Sequence, residues 1–245
     1  MRIGVFDSGI GGINVLKELV KKYPNNEYIF YGDTLNLPYG SKTIDELKTF
    51  ASNIINYLIS REVDIIIIAC GTISSNCYDY LRNKYNNIPI YDIVSPTIRY
   101  IKESPYNSIG VIATERTIES KIFEQSDKVK QVKATKNFVK IIEDGIIEDN
   151  EIVEIKNELS SFKNNIDSLV LGCTHYPFIS DIIKEYLNIP LIDMGVCLTN
   201  ELNLSNDGNK KINLYFSDVN ETLIHNIKLI ISDEITINKL VINKK

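Results

Sequence analysis

Apolar residues in this chain fall into short unbroken runs, separated by stretches that repeat every three to four positions. The runs at 2–7, 27–31, 64–69, 88–93, 108–113, 167–172 and 189–193 read as buried strands, with shorter or more polar ones at 129–135 and 211–217. Between them lie amphipathic stretches. Ile13, Leu16, Leu19, Val20 and Tyr23 share one helical face. Leu47, Phe50, Ala51, Ile54, Ile55 and Leu58 share another, opened by Thr43-Ile44-Asp45-Glu46, which has the form of a capping box. Further helices are predicted near 74–85, from about Glu115, over 137–147 and 149–161, and as a closing helix over Val219–Ser232. Alternating strand and helix predicts an α/β fold with mostly parallel sheets. In such sheets ligands bind at the carboxyl ends of the strands.

The pattern also repeats. Asp64–Cys70 reads D-I-I-I-I-A-C and Asp167–Cys173 reads D-S-L-V-L-G-C, each soon followed by threonine, Thr72 and Thr174. Asn87–Asp92 matches Asn188–Asp193 downstream, and Ile3–Ser8 matches Ile109–Thr114 upstream. Duplicated halves pack about a pseudo-two-fold axis, so the expectation is two similar α/β domains with a site in the cleft between them. One is expected over residues 1–95 plus 205–245, carrying Asp7 and Cys70. The other is expected over 96–204, carrying Cys173 and His175. The halves are expected to join rigidly near 94–97 and 199–206, since no low-complexity linker intervenes.

Composition narrows the partners. The 245 residues are 44% hydrophobic and 24% charged, ordinary for a soluble globular chain. A net charge of −5 argues against a broad nucleic-acid footprint. No apolar run is long enough for a membrane span, and Met1-Arg2 leads directly into a strand, so a cytoplasmic location is expected. The four cysteines then read as reduced thiols. The basic end, Lys239, Lys244 and Lys245, reads as a solvated tail.

The two matched cysteines carry the chemistry. Racemising an α-amino acid removes a weakly acidic Cα proton from one face and returns one to the other. Two thiols on opposite sides can do this if one starts as thiolate and the other as thiol. A free thiol near pKa 8.5 is within reach of that role. Asp7, ending the neighbouring strand, and His175, two residues after Cys173, are candidate proton partners. Ser8, Thr72, Thr114, Thr117 and Thr174 offer hydroxyls, and the Gly9–Gly12 turn offers N–H groups for an anionic substrate. There is no Gly-x-Gly-x-x-Gly or P-loop, and no lysine in a Schiff-base context, so a cofactor-free reaction is expected.

Other residues read more plainly. Cys77 and Cys197 lack the repeated context and are expected to be inert, and a zinc site from the cysteines and His175 lacks the usual short ligand pairs. His225 reads as a surface residue. Asp64, Asp92, Asp167 and Asp193 read as turn or capping residues. Glu143, among Ile141, Ile142, Ile146 and Ile147, reads on its own as a helix-surface carboxylate.

Four blocks together resemble the glutamate racemase family, the cofactor-independent branch of the aspartate/glutamate racemases. They are Gly4–Gly12, Pro38-Tyr39-Gly40, Cys70-Gly71-Thr72 and Gly172–Pro177, in the family's order and spacing over nearly the whole chain. The resemblance implies Cys70 as the base acting on D-glutamate and Cys173 as the base acting on L-glutamate. Asp7 and His175 would assist, and Glu143 matches an acidic residue near the second half-site. Substrate contacts would fall on Asp7, Ser8, Tyr39, Gly40, Gly71, Thr72, Thr114, Thr117, Thr174 and His175. It further implies a homodimer that supplies D-glutamate for peptidoglycan, and hence for cell-wall biogenesis and cell shape, with no cofactor and no metal. Two positions depart from the family: Gly71 replaces an asparagine, and Met194 a serine. Gly71 keeps open an aspartate or broad-specificity racemase. A non-catalytic binding paralogue, and a related lyase or isomerase with another carboxylic acid, are the remaining alternatives.

Overall fold

A computed structural model describes residues 1–145, 147–231 and 235–242. Ile146, Ser232, Lys244 and Lys245, named above, lie outside the described residues. The predicted strands form as β1 (Arg2–Asp7), β2 (Glu27–Gly32), β3 (Ile65–Ile68), β4 (Ile90–Asp92), β5 (Ile109–Ala113), β6 (Val129–Ala134), β7 (Ser168–Leu171), β8 (Leu191–Asp193) and β9 (Lys211–Phe216). A further strand, β10 (Thr236–Lys239), was not expected. It places Lys239 beside β9, paired with Asp218 at 2.5 Å, rather than in a loose tail.

All the pairings are parallel, in two sheets ordered β10-β9-β2-β1-β3-β4 and β6-β5-β7-β8. The order β2-β1-β3-β4 repeats as β6-β5-β7-β8, so the sequence repeat is also a topological one. The repeated aspartates serve the same purposes in both copies. Asp64 accepts from the Arg2 N–H at 2.6 Å, and Asp167 from the Ser108 N–H at 3.0 Å, each tying a strand start to its neighbour. Asp92 and Asp193 each accept two backbone N–H bonds at the start of the following helix.

The helices are α1 (Gly12–Lys22), α2 (Ile44–Ser60), α3 (Gly71–Lys84), α4 (Val94–Glu103), α5 (Glu115–Glu119), α6 (Phe138–Asp144), α7 (Asp149–Leu159), α8 (Ser180–Leu187), α9 (Met194–Glu201) and α10 (Glu221–Ile230). The capping box at Thr43 and Glu46 forms as predicted. Helix α3 begins three residues earlier than the apolar periodicity indicates, directly after Cys70. The extra turn is Gly-Thr-Ile, which carries too little amphipathic signal to be read as helix.

One buried cluster joins the two sheets. Ile3, Val5 and Phe30 of the first sheet and Val111, Val170 and Ile192 of the second pack against a shared layer. That layer is built from Leu16 and Leu19 of α1, Ile98 and Ile101 of α4, Leu198 of α9 and Ile227 of α10. Helices α2 and α3 cover the other face of the first sheet, and α6, α7 and α8 that of the second. Both sheets are therefore covered on both faces, which is why their central strands are continuous apolar runs rather than alternating ones.

Candidate active site

Cys70 follows β3 and Cys173 follows β7, the equivalent strands of the two sheets. Both line one cavity of about 200 Å³. From the first half it is walled by Ser8, Tyr39, Gly40, Cys70, Gly71 and Thr72. The second half contributes Thr114, Cys173, Thr174 and His175. Asp7, Glu143 and Thr117 stand behind this wall and reach it through hydrogen bonds. A larger cavity of about 550 Å³ lies along α3, α4 and α9 and contains none of the expected site residues.

The two thiols have unlike surroundings. Cys70 lies 3.8 Å from the Ser8 hydroxyl, behind which Asp7 is fully buried. Asp7 accepts the Ser8 N–H at 2.7 Å through one carboxylate oxygen and the Thr174 hydroxyl at 2.9 Å through the other. The second bond crosses from one half to the other. Burial, followed by the negative charge of Asp7, pushes the Cys70 thiol well above its usual range. Burial also raises Asp7, against the pull of His175 and the two hydrogen bonds.

Cys173 instead faces a base. Its sulfur lies 3.6 Å from Nδ1 of His175, whose Nε2 is 2.6 Å from Glu143 Oε1. Burial of His175 works against its charge, but Cys173 and Glu143 outweigh it and hold the imidazole well above its ordinary pKa. A buried imidazolium with a carboxylate on one nitrogen and a sulfur on the other is a natural counter-ion for a thiolate.

Glu143 is thus not the plain surface carboxylate that its own helix indicates. Oε1 also accepts the Ile10 N–H at 3.2 Å. That donor lies in the Gly9–Gly12 turn, expected to point at a bound anion, so at Ile10 the turn serves Glu143 instead. The same turn approaches the second half closely. A Cβ at Gly11 would sit 2.5 Å from Thr174 Oγ1 and 2.6 Å from His175 Nδ1, so only glycine fits there.

The hydroxyls divide into cavity wall and support. Thr72 and Thr114 pair at 2.9 Å across the two halves, and Thr117 bonds Thr114 at 3.0 Å from behind. Tyr39 lines the cavity, but its hydroxyl is spent on Asp33 at 2.7 Å and its ring stacks on Phe50. Gly40 lies against Thr114, and Arg116 Nε donates to the Lys42 carbonyl at 3.1 Å, tying this loop to α5.

The two departures from the family pattern meet in space. A Cβ at Gly71 would lie 2.9 Å from the Gly172 carbonyl oxygen and 3.3 Å from Met194 Cε. Met194 fills the volume beside residue 71, so a larger side chain there needs both the Gly172 backbone and Met194 to move.

Cys77, Cys197 and His225 lie outside the cavity wall. Burial raises Cys77 to about 11 and Cys197 to about 12, which leaves both thiols protonated at neutral pH. His225 is exposed. Among the described residues no three His, Cys, Asp or Glu side chains converge as a metal site, and no helix is long and apolar enough to cross a membrane. The sequence reading missed Thr135, Lys136, Val139 and Glu115 in the cavity wall. The first three follow β6, whose mixed polarity conceals a strand end. Only the rule that ligands gather at carboxyl ends of strands could have found them.

Known proteins resemble this chain in sequence and in fold. A family model described as Asp/Glu/Hydantoin racemase matches residues 7–202. A glutamate racemase of Aquifex aeolicus is 33% identical over 96% of both chains. Another, of Clostridium botulinum, is 36% identical over 94% of this chain and 96% of its own. A crystal structure of glutamate racemase from Francisella tularensis, in complex with D-glutamate, superposes with a TM-score of 0.87 at 31% identity, covering 98% of this chain and 97% of its own.

Proposed function

The chain belongs to the Asp/Glu/Hydantoin racemase family and is an amino-acid racemase; on that premise we propose that it interconverts L- and D-glutamate by a two-thiol mechanism. The observation that carries the proposal is the pair of cysteines, at equivalent strand ends, on one cavity, with partners of opposite character. Cys173, beside the His175 imidazolium, starts as thiolate and removes the Cα proton of L-glutamate. Cys70, pushed upward by burial and by Asp7, starts as thiol and delivers a proton to the opposite face. The product is D-glutamate, with the thiol on Cys173 and the thiolate on Cys70. The reverse reaction starts from that state, with Cys70 as base. Asp7 and the His175–Glu143 pair position and rebalance the two thiols.

In this reading Ser8, Thr72, Thr114 and Thr174, with backbone groups at Gly40 and Gly71, hold the substrate, and Tyr39 and Thr117 shape the wall. Residues 1–95 with 205–245 form one domain and 96–204 the other. No cofactor takes part. The biological role is to supply D-glutamate for peptidoglycan in the cytoplasm, by a homodimer; support for this comes from the family resemblance and from relatives that carry the name glutamate racemase.

The test incubates purified, reduced protein with L-glutamate, and separately with L-aspartate, in D₂O without pyridoxal phosphate. Proton NMR follows Cα exchange and circular dichroism follows inversion. We expect both with glutamate, and a fall in racemisation of about 10²–10⁴-fold in Cys70→Ser and in Cys173→Ser, the usual weight of a positioned acid or base. Activity confined to aspartate would move the assignment within the family. Folded protein silent on both amino acids would sink it.

A further inference from the structure

The cavity has one cation to spare. Among its lining residues the basic side chains are Lys136 and His175, and both ring nitrogens of His175 are occupied, by Cys173 and by Glu143. The hydroxyls of the wall are neutral donors. Lys136 is exposed at the cavity, and its ammonium has no hydrogen-bond or ion-pair partner among the described residues. Its backbone is nonetheless well placed. Thr135 N–H donates to the Ala113 carbonyl at 3.1 Å, carrying the β5–β6 ladder one residue past the strand end. Asn137 accepts the Ile141 N–H at 2.9 Å through its carbonyl and donates from Nδ2 to Glu154 at 2.6 Å. A fixed backbone with an unpaired ammonium, at the carboxyl end of a parallel strand, is where an α/β sheet meets its ligand.

We infer that Lys136 is a specificity-determining residue that binds the side-chain carboxylate of the substrate at the cavity rim. The inference rests on the glutamate reading above and adds to it the group that recognises the distal charge. A glutamate whose Cα lies between the two thiols must direct its second carboxylate elsewhere, and Lys136 is the free cation available to meet it. A flexible, exposed lysine also fits a role in selection rather than in chemistry. Its contribution is modest, screened by salt, and spent equally on ground and transition states.

The experiment compares wild type, Lys136→Met and Lys136→Arg, using racemisation of L-glutamate and calorimetric binding of L-glutamate and L-glutamine. Glutamine has the same length with a neutral end. We expect Lys136→Met to raise KM for glutamate about two- to fivefold at low ionic strength, the range of an exposed ion pair. Its kcat should change less than twofold, its glutamine affinity should not change, and the KM difference should shrink as salt is added. Lys136→Arg should restore KM. A Lys136→Met enzyme with wild-type KM, beside an active wild type, overturns the inference and leaves the glutamate reading standing. An equal loss of glutamine and glutamate affinity also overturns it, by showing a structural effect rather than a charge. A wild type that neither binds nor racemises glutamate removes the reading itself, and this inference with it.

Discussion

His175 shows how the site depends on single contacts. An imidazole this deeply buried would ordinarily be neutral, because burial penalises the charged form. Here the Glu143 carboxylate at 2.6 Å and the Cys173 sulfur at 3.6 Å reverse that penalty. The consequence is a stability that depends on pH. The folded-state pKa of His175 lies above its unfolded value near 6.5, so the stabilisation is fully present below about pH 6.5 and is lost as pH rises through the folded pKa. Glu143→Gln removes one cause of the shift. We expect it to cost about 2 kcal/mol near pH 6, the usual weight of a hydrogen bond to a charged group. That corresponds to a Tm roughly 4–8 °C lower for a chain of this size. The gap between variant and wild type should narrow as pH rises; thermal melts at several pH values measure it, and a constant gap would show that His175 is not the group responsible. Sequence alone announced Cys70, Cys173, Asp7 and His175, because each stands in or beside a repeated motif. It could not connect Glu143 to them without the family resemblance, since that contact spans 32 residues and nothing local in α6 marks it. Lys136 was missed altogether for the same reason: a lone lysine after a mixed-polarity strand has no local signature.

Elements were legible where their burial is complete. The run Ile65–Ile68 can only be a central strand, and the α2 stripe with its capping box leaves no other reading. Legibility failed at β10, where Thr236–Lys239 is short, polar at three of its four positions and paired on one side only, so the hydrophobic pattern carries little. Helix α9 is informative in another way. Its eight residues are too few to be stable alone, yet it lies in the layer shared by both sheets. Its two ends explain how it holds. Asp193 caps the first turn with two N–H bonds, at 2.7 and 3.1 Å. At the other end the Lys22 ammonium, from the last turn of α1, donates to the carbonyls of Thr199, Asn200 and Leu202. A cation at a helix C-terminus satisfies orphan carbonyls and complements the helix dipole. Lys22→Met keeps the aliphatic stem and removes those bonds. We expect a loss of about 1 kcal/mol, hence a Tm lower by roughly 2–4 °C. Lys22 lies outside the cavity wall, so activity at 25 °C should be retained. Calorimetry and a racemisation assay on the same sample check both parts, and an unchanged Tm would mean that water replaces the ammonium without cost.

At the scale of the molecule, the sequence repeat became two sheets of matching order, and the repeated cysteines became neighbours on one cavity. That much followed from reading two stretches as copies. The depth of the connection between the halves did not, because the residues that make it are ordinary core residues in several separate helices. Leu16 and Leu19 of α1 and Ile227 of α10 belong to the same buried cluster as Val111 and Val170 of the second sheet. Each such side chain contributes roughly 1.5–3 kcal/mol by burial, several times less than a domain needs in total but comparable, summed over the layer, to the net stability of a domain. The inner face of the second sheet is therefore completed by the first half. We expect residues 96–204 produced alone to lack cooperative tertiary structure, because α1 and α10 are missing from that face. Such a fragment should bind an apolar dye and show weak near-ultraviolet dichroism, whereas the full chain should unfold in one transition, coincident by far-ultraviolet dichroism and tyrosine fluorescence. A fragment with a sharp melt would show that the halves are independent modules. The expected outcome matters for the chemistry as well. Thr174 reaches Asp7, Glu143 reaches Ile10, and Thr72 reaches Thr114, each across the two halves, so neither thiol has a finished environment within its own half. A shared core fixes the spacing of those crossing bonds, and with it the placing of the two thiols on the one cavity they line.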